Sequence, residues 1–411
     1  MDKRIPIANG VFADKEGINK NILVIGSTGS GKTTSVTEPR LLHTYDDSLV
    51  VPVVKQKVIN LYRPLFEKRG YTVKIINLSD PTKSDCGFNP CEGITKDAQC
   101  MELAESLMSG DGSKTHTGES DPYWAEATLS TVAALIGLEV RNAKYQGKTP
   151  SFKNVLLLYE LIGADFSGSH CKTGLDGIFV ALNSEYPKSQ APRLWKTLSG
   201  TSSKTASCIN SMVNNVFDKL VGEDTTDLFE KNILDLSMLG REKTILFVVS
   251  NPVVKSSKRL TDLLYSCLFR SLFAEAEKKG GELDVPVHIV ADDFACGSKI
   301  PNFASYLSVF RAAGISCTIL LQSLSQLGSM YGEYERRVIE DNCDTRLFFG
   351  STDLETARDM SIRLDTPIKD ILSIKPGEMV VSIRGYGSRI CKRYETYEDK
   401  EYKKLVKLKT N

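Results

Sequence analysis

Short, nearly unbroken apolar runs alternate along this chain with longer stretches of helical periodicity. The runs at Asn21 to Ile25, Ser48 to Val54 and Thr72 to Ile76 are bounded by polar or glycine-rich segments. Such runs predict strands covered on both faces, as in a parallel sheet with helices packed on its sides. After Phe88-Asn89-Pro90 the rhythm changes. Ala98 to Met108, Tyr123 to Arg141, Lys153 to Ile162 and Thr205 to Leu220 predict helices, with few strand-like runs between them. Strand patterns return at Thr244 to Val249, Val287 to Ala291, Ile315 to Leu321 and Thr345 to Phe349, with helices over Leu260 to Lys279 and Phe303 to Arg311. Thr352 and Glu355 have the spacing of a capping box, and Gly377 to Arg384 predicts an edge strand. The expected architecture is an α/β nucleotide-binding fold of mostly parallel sheet, split between residues 1–94 and 223–411, with an all-helical domain inserted at 95–222.

Composition narrows the function. The chain has 411 residues, enough for two or three compact units. The formal net charge is +1, so contact with nucleic acid would come from local patches rather than from an overall basic excess. Ten cysteines include no CxxC pair and the four histidines are far apart, which argues against a zinc site. Cysteines inside apolar runs, such as Cys317, read as small core residues in a reducing compartment. No signal-peptide core and no apolar run of ~18 residues is present, so a soluble cytoplasmic chain is expected.

The chemistry sits at strand ends. Gly26-Ser27-Thr28-Gly29-Ser30-Gly31-Lys32-Thr33 matches GxxxxGK[ST], follows a strand and opens a helix. Its glycines let backbone N–H groups turn toward phosphate oxygens, and a helix N-terminus adds positive potential. Lys32 would reach the β- and γ-phosphates, Thr33 would ligate Mg²⁺, and Thr34 completes the nucleotide-binding set. Val287 to Ala291 is an apolar strand that ends in Asp292-Asp293. This is the Walker B pattern, in which Asp292 holds Mg²⁺ and Asp293 polarises the attacking water. The strand Ile315 to Leu321 ends in Gln322, whose amide would lie near the γ-phosphate or the attacking water. Arg311 precedes the same strand, at the opposite edge of the sheet. It reads either as an arginine finger for a neighbouring subunit or as a surface arginine at a helix C-terminus.

These residues resemble a family. The order Gly26 to Thr33, Ser48 to Val51 with Lys55, Gly87 to Pro90, Asp121 to Trp124, Ala291 to Ala295, Ile300-Pro301, Arg311 to Ile315, Leu321 to Leu327, Asn342 to Thr345 and Thr352 to Ala357 is similar to that in the ATPase part of conjugative coupling proteins, the TraG/TraD type of type IV secretion systems. The resemblance implies a RecA-like, ATP- and Mg²⁺-dependent motor carrying a helical domain. It implies a homo-hexameric ring that passes DNA and its relaxase to the secretion channel, with Arg311 as finger and Gln322 as sensor. Membrane contact would come through a partner protein, at the inner face of the cell membrane.

The chain departs from that pattern in three places. Asp293 stands where the family has Glu, which shortens the carboxylate reach by roughly 1.5 Å. Val53-Val54-Lys55-Gln56-Lys57 replaces the family's Asp-Pro-Lys-Gly-Glu, keeping only Lys55. The P-loop begins about 20 residues from the first residue, without the family's N-terminal membrane helices, which suggests a soluble variant or a half that works with a membrane partner. Two alternatives follow: a recruitment adaptor with weak or no hydrolysis, and a related ring translocase for DNA segregation or packaging. Lys403, Lys404, Lys407 and Lys409 predict a basic, solvated C-terminal tail, and Trp124 and Trp195 predict core positions in the helical region.

Overall fold

The structure is a computed structural model that describes residues 4–13, 18–53, 56–108, 122–163, 167–169, 172–251, 254–292, 300 and 302–410. Eleven strands are formed among them: β1 (Pro6–Ala8), β2 (Val11–Phe12), β3 (Ile22–Ile25), β4 (Ser48–Val53), β5 (Thr72–Asn77), β6 (Thr244–Val249), β7 (Val287–Ala291), β8 (Ile315–Leu321), β9 (Thr345–Phe348), β10 (Glu378–Ile383) and β11 (Gly387–Lys392). β1 and β2 form a small antiparallel hairpin. The other nine make one sheet in the order β11-β10-β9-β3-β8-β7-β4-β6-β5. From β9 to β5 every pairing is parallel, and β10 and β11 run antiparallel at one side. This is the expected α/β, mostly parallel architecture. The apolar runs behave as two-faced strands: all residues of β3, β6, β7 and β8 are buried.

Between β5 and β6 the described residues form seven α-helices and no strand: Asp97–Met108, Pro122–Tyr145, Phe152–Glu160, Asp176–Glu185, Ala191–Ser199, Ser203–Asp218 and Glu223–Glu230. Pro122–Tyr145 is the axis of the group and is buried on nearly every side from Ala127 to Val140. Its Glu139 is 1% exposed. That carboxylate accepts hydrogen bonds from Ser151 N–H (2.9 Å) and Asn154 Nδ2 (3.0 Å), while burial raises its pKa. Trp195 is buried as expected, stacked on Phe179 with its indole N–H donated to Asp176. Trp124 packs half-buried at the edge of the same core. That core continues without a break onto one face of the sheet.

The stretch Gly87-Phe88-Asn89-Pro90 is the seam between helices and sheet. A Cβ on Gly87 would lie 2.1 Å from the Leu228 carbonyl oxygen, so only glycine fits. Asn89 accepts from Cys91 N–H and Phe152 N–H and donates to the Pro150 carbonyl. Arg270, in the helix Lys255–Lys278, donates to the Pro90 carbonyl.

Several expectations need correction. Gly377 to Arg384 does contain a strand, β10, but β11 flanks it and takes the edge. The Thr352/Glu355 capping box is not formed. Asp353 caps the helix Leu354–Arg363 instead, accepting from Thr356 N–H at 2.9 Å, because a carboxylate one residue later is already in the N-cap position. The C-terminus is not a free tail. It is the helix Lys400–Thr410, which lays Leu405 and Tyr402 against the domain and leaves Lys403, Lys404 and Lys407 outward.

A buried histidine lies inside the sheet. His288 on β7 is fully buried, with Nδ1 2.7 Å from Ser316 Oγ and Nε2 2.8 Å from Thr318 Oγ1, both on the neighbouring β8. Burial drives its pKa well below the usual imidazole value, and the positive Arg40 and Lys20 act in the same direction. Below about pH 6.5 the unfolded chain takes up a proton that the folded chain refuses, so stability is lost as pH falls. Between pH 7.5 and 5.5 the wild-type protein should lose about 1 kcal/mol more unfolding free energy than His288→Asn. Urea unfolding at each pH measures this, and parallel pH profiles would contradict it.

Candidate functional site

The phosphate-binding loop grows from the centre of the sheet. β3 lies between β8 and β9. At its end the loop is held on both sides: Gly26 N–H donates to the Leu321 carbonyl (3.2 Å) and Ser27 N–H to the Gly350 carbonyl (3.2 Å). A Cβ on Gly26 would come within 2.7 Å of Phe349 Cβ and Ser30 Oγ. Gly31 has φ +91°, a conformation that other residues rarely adopt. Together they let Ser27, Thr28, Gly29 and Ser30 arch over the strand end, with Ser30 N–H bonded back to the Ser27 carbonyl at 3.1 Å.

Lys32 is 7% exposed and turns back into the arch. Its ammonium donates to the carbonyls of Gly26 (2.5 Å) and Ser27 (3.2 Å). The helix that follows is not regular. Pro39 has no N–H, and its ring crowds the carbonyl four residues back. The chain widens into a π-helical turn over Thr33–Thr37 before the α-helix Glu38–His43. Thr34 Oγ1 donates to the Gly31 carbonyl at 3.0 Å.

The Walker B strand meets this loop directly. Thr33 Oγ1 donates to Asp292 Oδ2 at 3.0 Å, immediately beyond the end of β7. Two hard oxygen donors, one opening the helix after the loop and one just beyond β7, face one another beside a loop of N–H groups and suit Mg²⁺. Asp293 lies outside the described residues, as do Lys55 and Asp121. Gln322 follows β8 at once, beside the Leu321 carbonyl that holds Gly26. Its Oε1 accepts from Gln326 Nε2 at 3.4 Å in the next helix, Leu324–Tyr331. Arg311 is exposed and precedes β8, so the length of that strand, about 20 Å, separates it from the loop of its own chain. The structure thus brings Lys32, Thr33, Asp292 and Gln322 to one end of the sheet and leaves Arg311 at the other.

A cavity of about 710 Å³ opens at this end. Thr33, Thr34 and Asp292 line it, together with Glu38, Lys57, Leu61, Tyr397 and Tyr402. The C-terminal residues here carried no sequence signal. Arg393 Nη1 donates to the Ser30 carbonyl at 3.3 Å while its Nε pairs with Glu395 at 2.7 Å. Thr396 Oγ1 donates to the Thr34 carbonyl. They lie more than 350 positions from the loop they touch, and no spacing rule links them to it.

A search of curated proteins finds no match. Among solved structures, the bacterial conjugative coupling protein TrwBΔN70 in complex with sulphate is 17% identical, with TM-score 0.65, covering 96% of this chain and 90% of that one. The plasmid coupling protein TrwB in complex with ADP and Mg²⁺ is 18% identical, with the same TM-score and coverage. VirB4 of Thermoanaerobacter pseudethanolicus is 14% identical, with TM-score 0.56, covering 95% of this chain and 96% of that one. At these identities the likeness is one of fold. A sequence model of the family described as type IV secretory system conjugative DNA transfer matches residues 2–366, and the chain therefore belongs to that family.

Proposed function

We propose that this chain is an ATP-hydrolysing motor that couples nucleotide turnover to passage of relaxase-bound DNA into a type IV secretion channel. The observation that carries the reading is the 3.0 Å contact between Thr33 Oγ1 and Asp292 Oδ2, which joins the P-loop to the Walker B strand beside Lys32. The loop's N–H groups and Lys32 would bind and orient the triphosphate. Thr33 and Asp292 would hold Mg²⁺, whose charge neutralises phosphate oxygens when bound. Asp293 would orient the attacking water and Gln322 would register the γ-phosphate. The ADP and Mg²⁺ of the TrwB complex support this assignment.

Arg311 serves no site in its own chain under this reading. It completes the site of the next subunit in a homo-hexameric ring, with residues 95–222 as the inserted helical domain between the two parts of the motor. In such a ring each modest basic patch recurs around the pore, so a near-neutral protomer binds DNA by local charge. The ring works in the cytoplasm, against the inner face of the membrane, through a membrane partner. The shorter carboxylate of Asp293 favours one second reading, a nucleotide-binding recruitment adaptor that hydrolyses weakly or not at all.

ATP turnover measured with and without single-stranded DNA separates the two. The motor reading expects DNA-stimulated turnover that Lys32→Ala lowers at least about 100-fold. Nucleotide binding without turnover would leave only the adaptor. Arg311→Ala should lower kcat by about 1,000-fold with ATP affinity within about threefold of wild type. Turnover per subunit should rise with protein concentration, because the site is completed in trans. Retained turnover in Arg311→Ala would remove the finger role.

A further inference from the structure

The cavity beside the P-loop has aromatic lining that the phosphate chemistry leaves unused. Tyr397 and Tyr402 meet there edge to face, with ring centroids 5.3 Å apart and planes at 81°. Both line the same cavity as Thr33, Thr34 and Asp292. Tyr397 is 54% exposed, so a face of its ring is open to a ligand. Leu41, Val58 and Leu61 supply aliphatic surface to the cavity, and Glu38 and Lys57 supply polar groups. Glu38 already accepts from the Tyr62 hydroxyl at 3.3 Å, and burial raises its pKa.

The segment that carries these tyrosines is fastened to the loop at two points and to the end of the following helix at a third. Arg393 donates to the Ser30 carbonyl, and Thr396, one residue before Tyr397, donates to the Thr34 carbonyl. Asp399 then caps the C-terminal helix through Glu401 N–H (2.6 Å) and Tyr402 N–H (3.3 Å). The same carboxylate pairs with His43 Nε2 at 2.9 Å, the last residue of the helix that leaves the P-loop. Tyr397 and Tyr402 are therefore held in register with the phosphate site. The match to the family ends at residue 366, so this strap lies beyond the part of the chain that the family model describes.

We propose that Tyr397 and Tyr402 form the subsite for the base of the bound nucleotide, with Tyr397 as the stacking face and Glu38 as a hydrogen-bond acceptor for an exocyclic amine. The inference rests on the nucleotide-binding reading above and adds a position for the base. A flat π-system with polar edges complements aromatic and aliphatic walls that carry a carboxylate at one side. A ligand with its triphosphate on the loop would enter this cavity at Thr33 and Thr34, the residues at the loop's end that line it.

Titration calorimetry of the full chain with Mg²⁺, using ATP and inorganic tripolyphosphate as separate probes, tests the assignment. Tyr397→Ala should weaken ATP binding about tenfold and leave tripolyphosphate within about twofold of wild type, since only ATP carries a base to stack. Tyr397→Phe should keep wild-type ATP affinity, because the ring is retained. ATP affinity unchanged in Tyr397→Ala, or equal weakening of both probes, would overturn the base subsite while leaving nucleotide binding intact. Binding of neither probe by the wild-type chain would overturn the nucleotide-binding reading itself, and the subsite with it.

Discussion

The position of β3 governs everything at the phosphate-binding end. Its two neighbours, β8 and β9, lie about 300 positions further along the chain, and a slip of one residue would turn every β3 side chain to the other face. Side-chain amides fix the register at the opposite end of the strand. Asn21 is 2% exposed. Its Oδ1 accepts from Cys317 N–H of β8 at 2.9 Å, and its Nδ2 donates to the Asn342 carbonyl just before β9 at 3.0 Å. Asn19 adds a second clamp, taking Asp344 Oδ2 on its N–H at 2.7 Å and giving its amide to the same Asn342 carbonyl. Buried polar groups are costly unless satisfied, so these bonds hold only in one register. With the register set, the Leu321 and Gly350 carbonyls fall where Gly26 and Ser27 need acceptors.

The same logic explains which parts of the molecule the sequence made legible. The P-loop, Asp292 and Gln322 were readable because each stands at the end of an apolar run, and in a parallel sheet the ends of such runs converge. β6, β7 and β8 have the predicted bounds because both faces are buried and their apolar pattern is continuous. β11 was invisible for the opposite reason. Gly387-Ser388-Arg389-Ile390-Cys391-Lys392 is mostly exposed and carries no alternation, and it is a strand because β10 offers it a free edge. The C-terminal lysines hid a helix, because the signal lay in Tyr402 and Leu405, three apart, rather than in the charges between and after them.

Cooperation between distant residues was the part no local pattern could show. Asn342-Cys343-Asp344-Thr345 drew notice as a stretch of the resemblance, and the structure gives it a physical task as the anchor of β3. Gly87 to Pro90 likewise becomes the seam that fixes the helices against the sheet. Arg393 and Thr396 belong to the same class of residue. They are ordinary polar side chains whose meaning comes only from the carbonyls they reach.

Those two contacts give the loop an unusual dependence. A P-loop bends freely because of its glycines, and here Arg393 stands over Gly31 so closely that a Cβ would lie 2.6 Å from its Nη1. Any movement of the loop toward phosphate must carry the Ser30 and Thr34 carbonyls with it, and through them Arg393 and Thr396. Binding and docking are then linked reciprocally: whatever free energy the docked strap adds to nucleotide binding, bound nucleotide returns to docking of the strap. His43 extends the linkage, since it leaves the loop's own helix to hold the cap of the last helix. The segment from Arg393 onward thus forms part of the wall of the nucleotide site, and a chain cut before Arg393 would keep the motif intact while losing the surface that positions it.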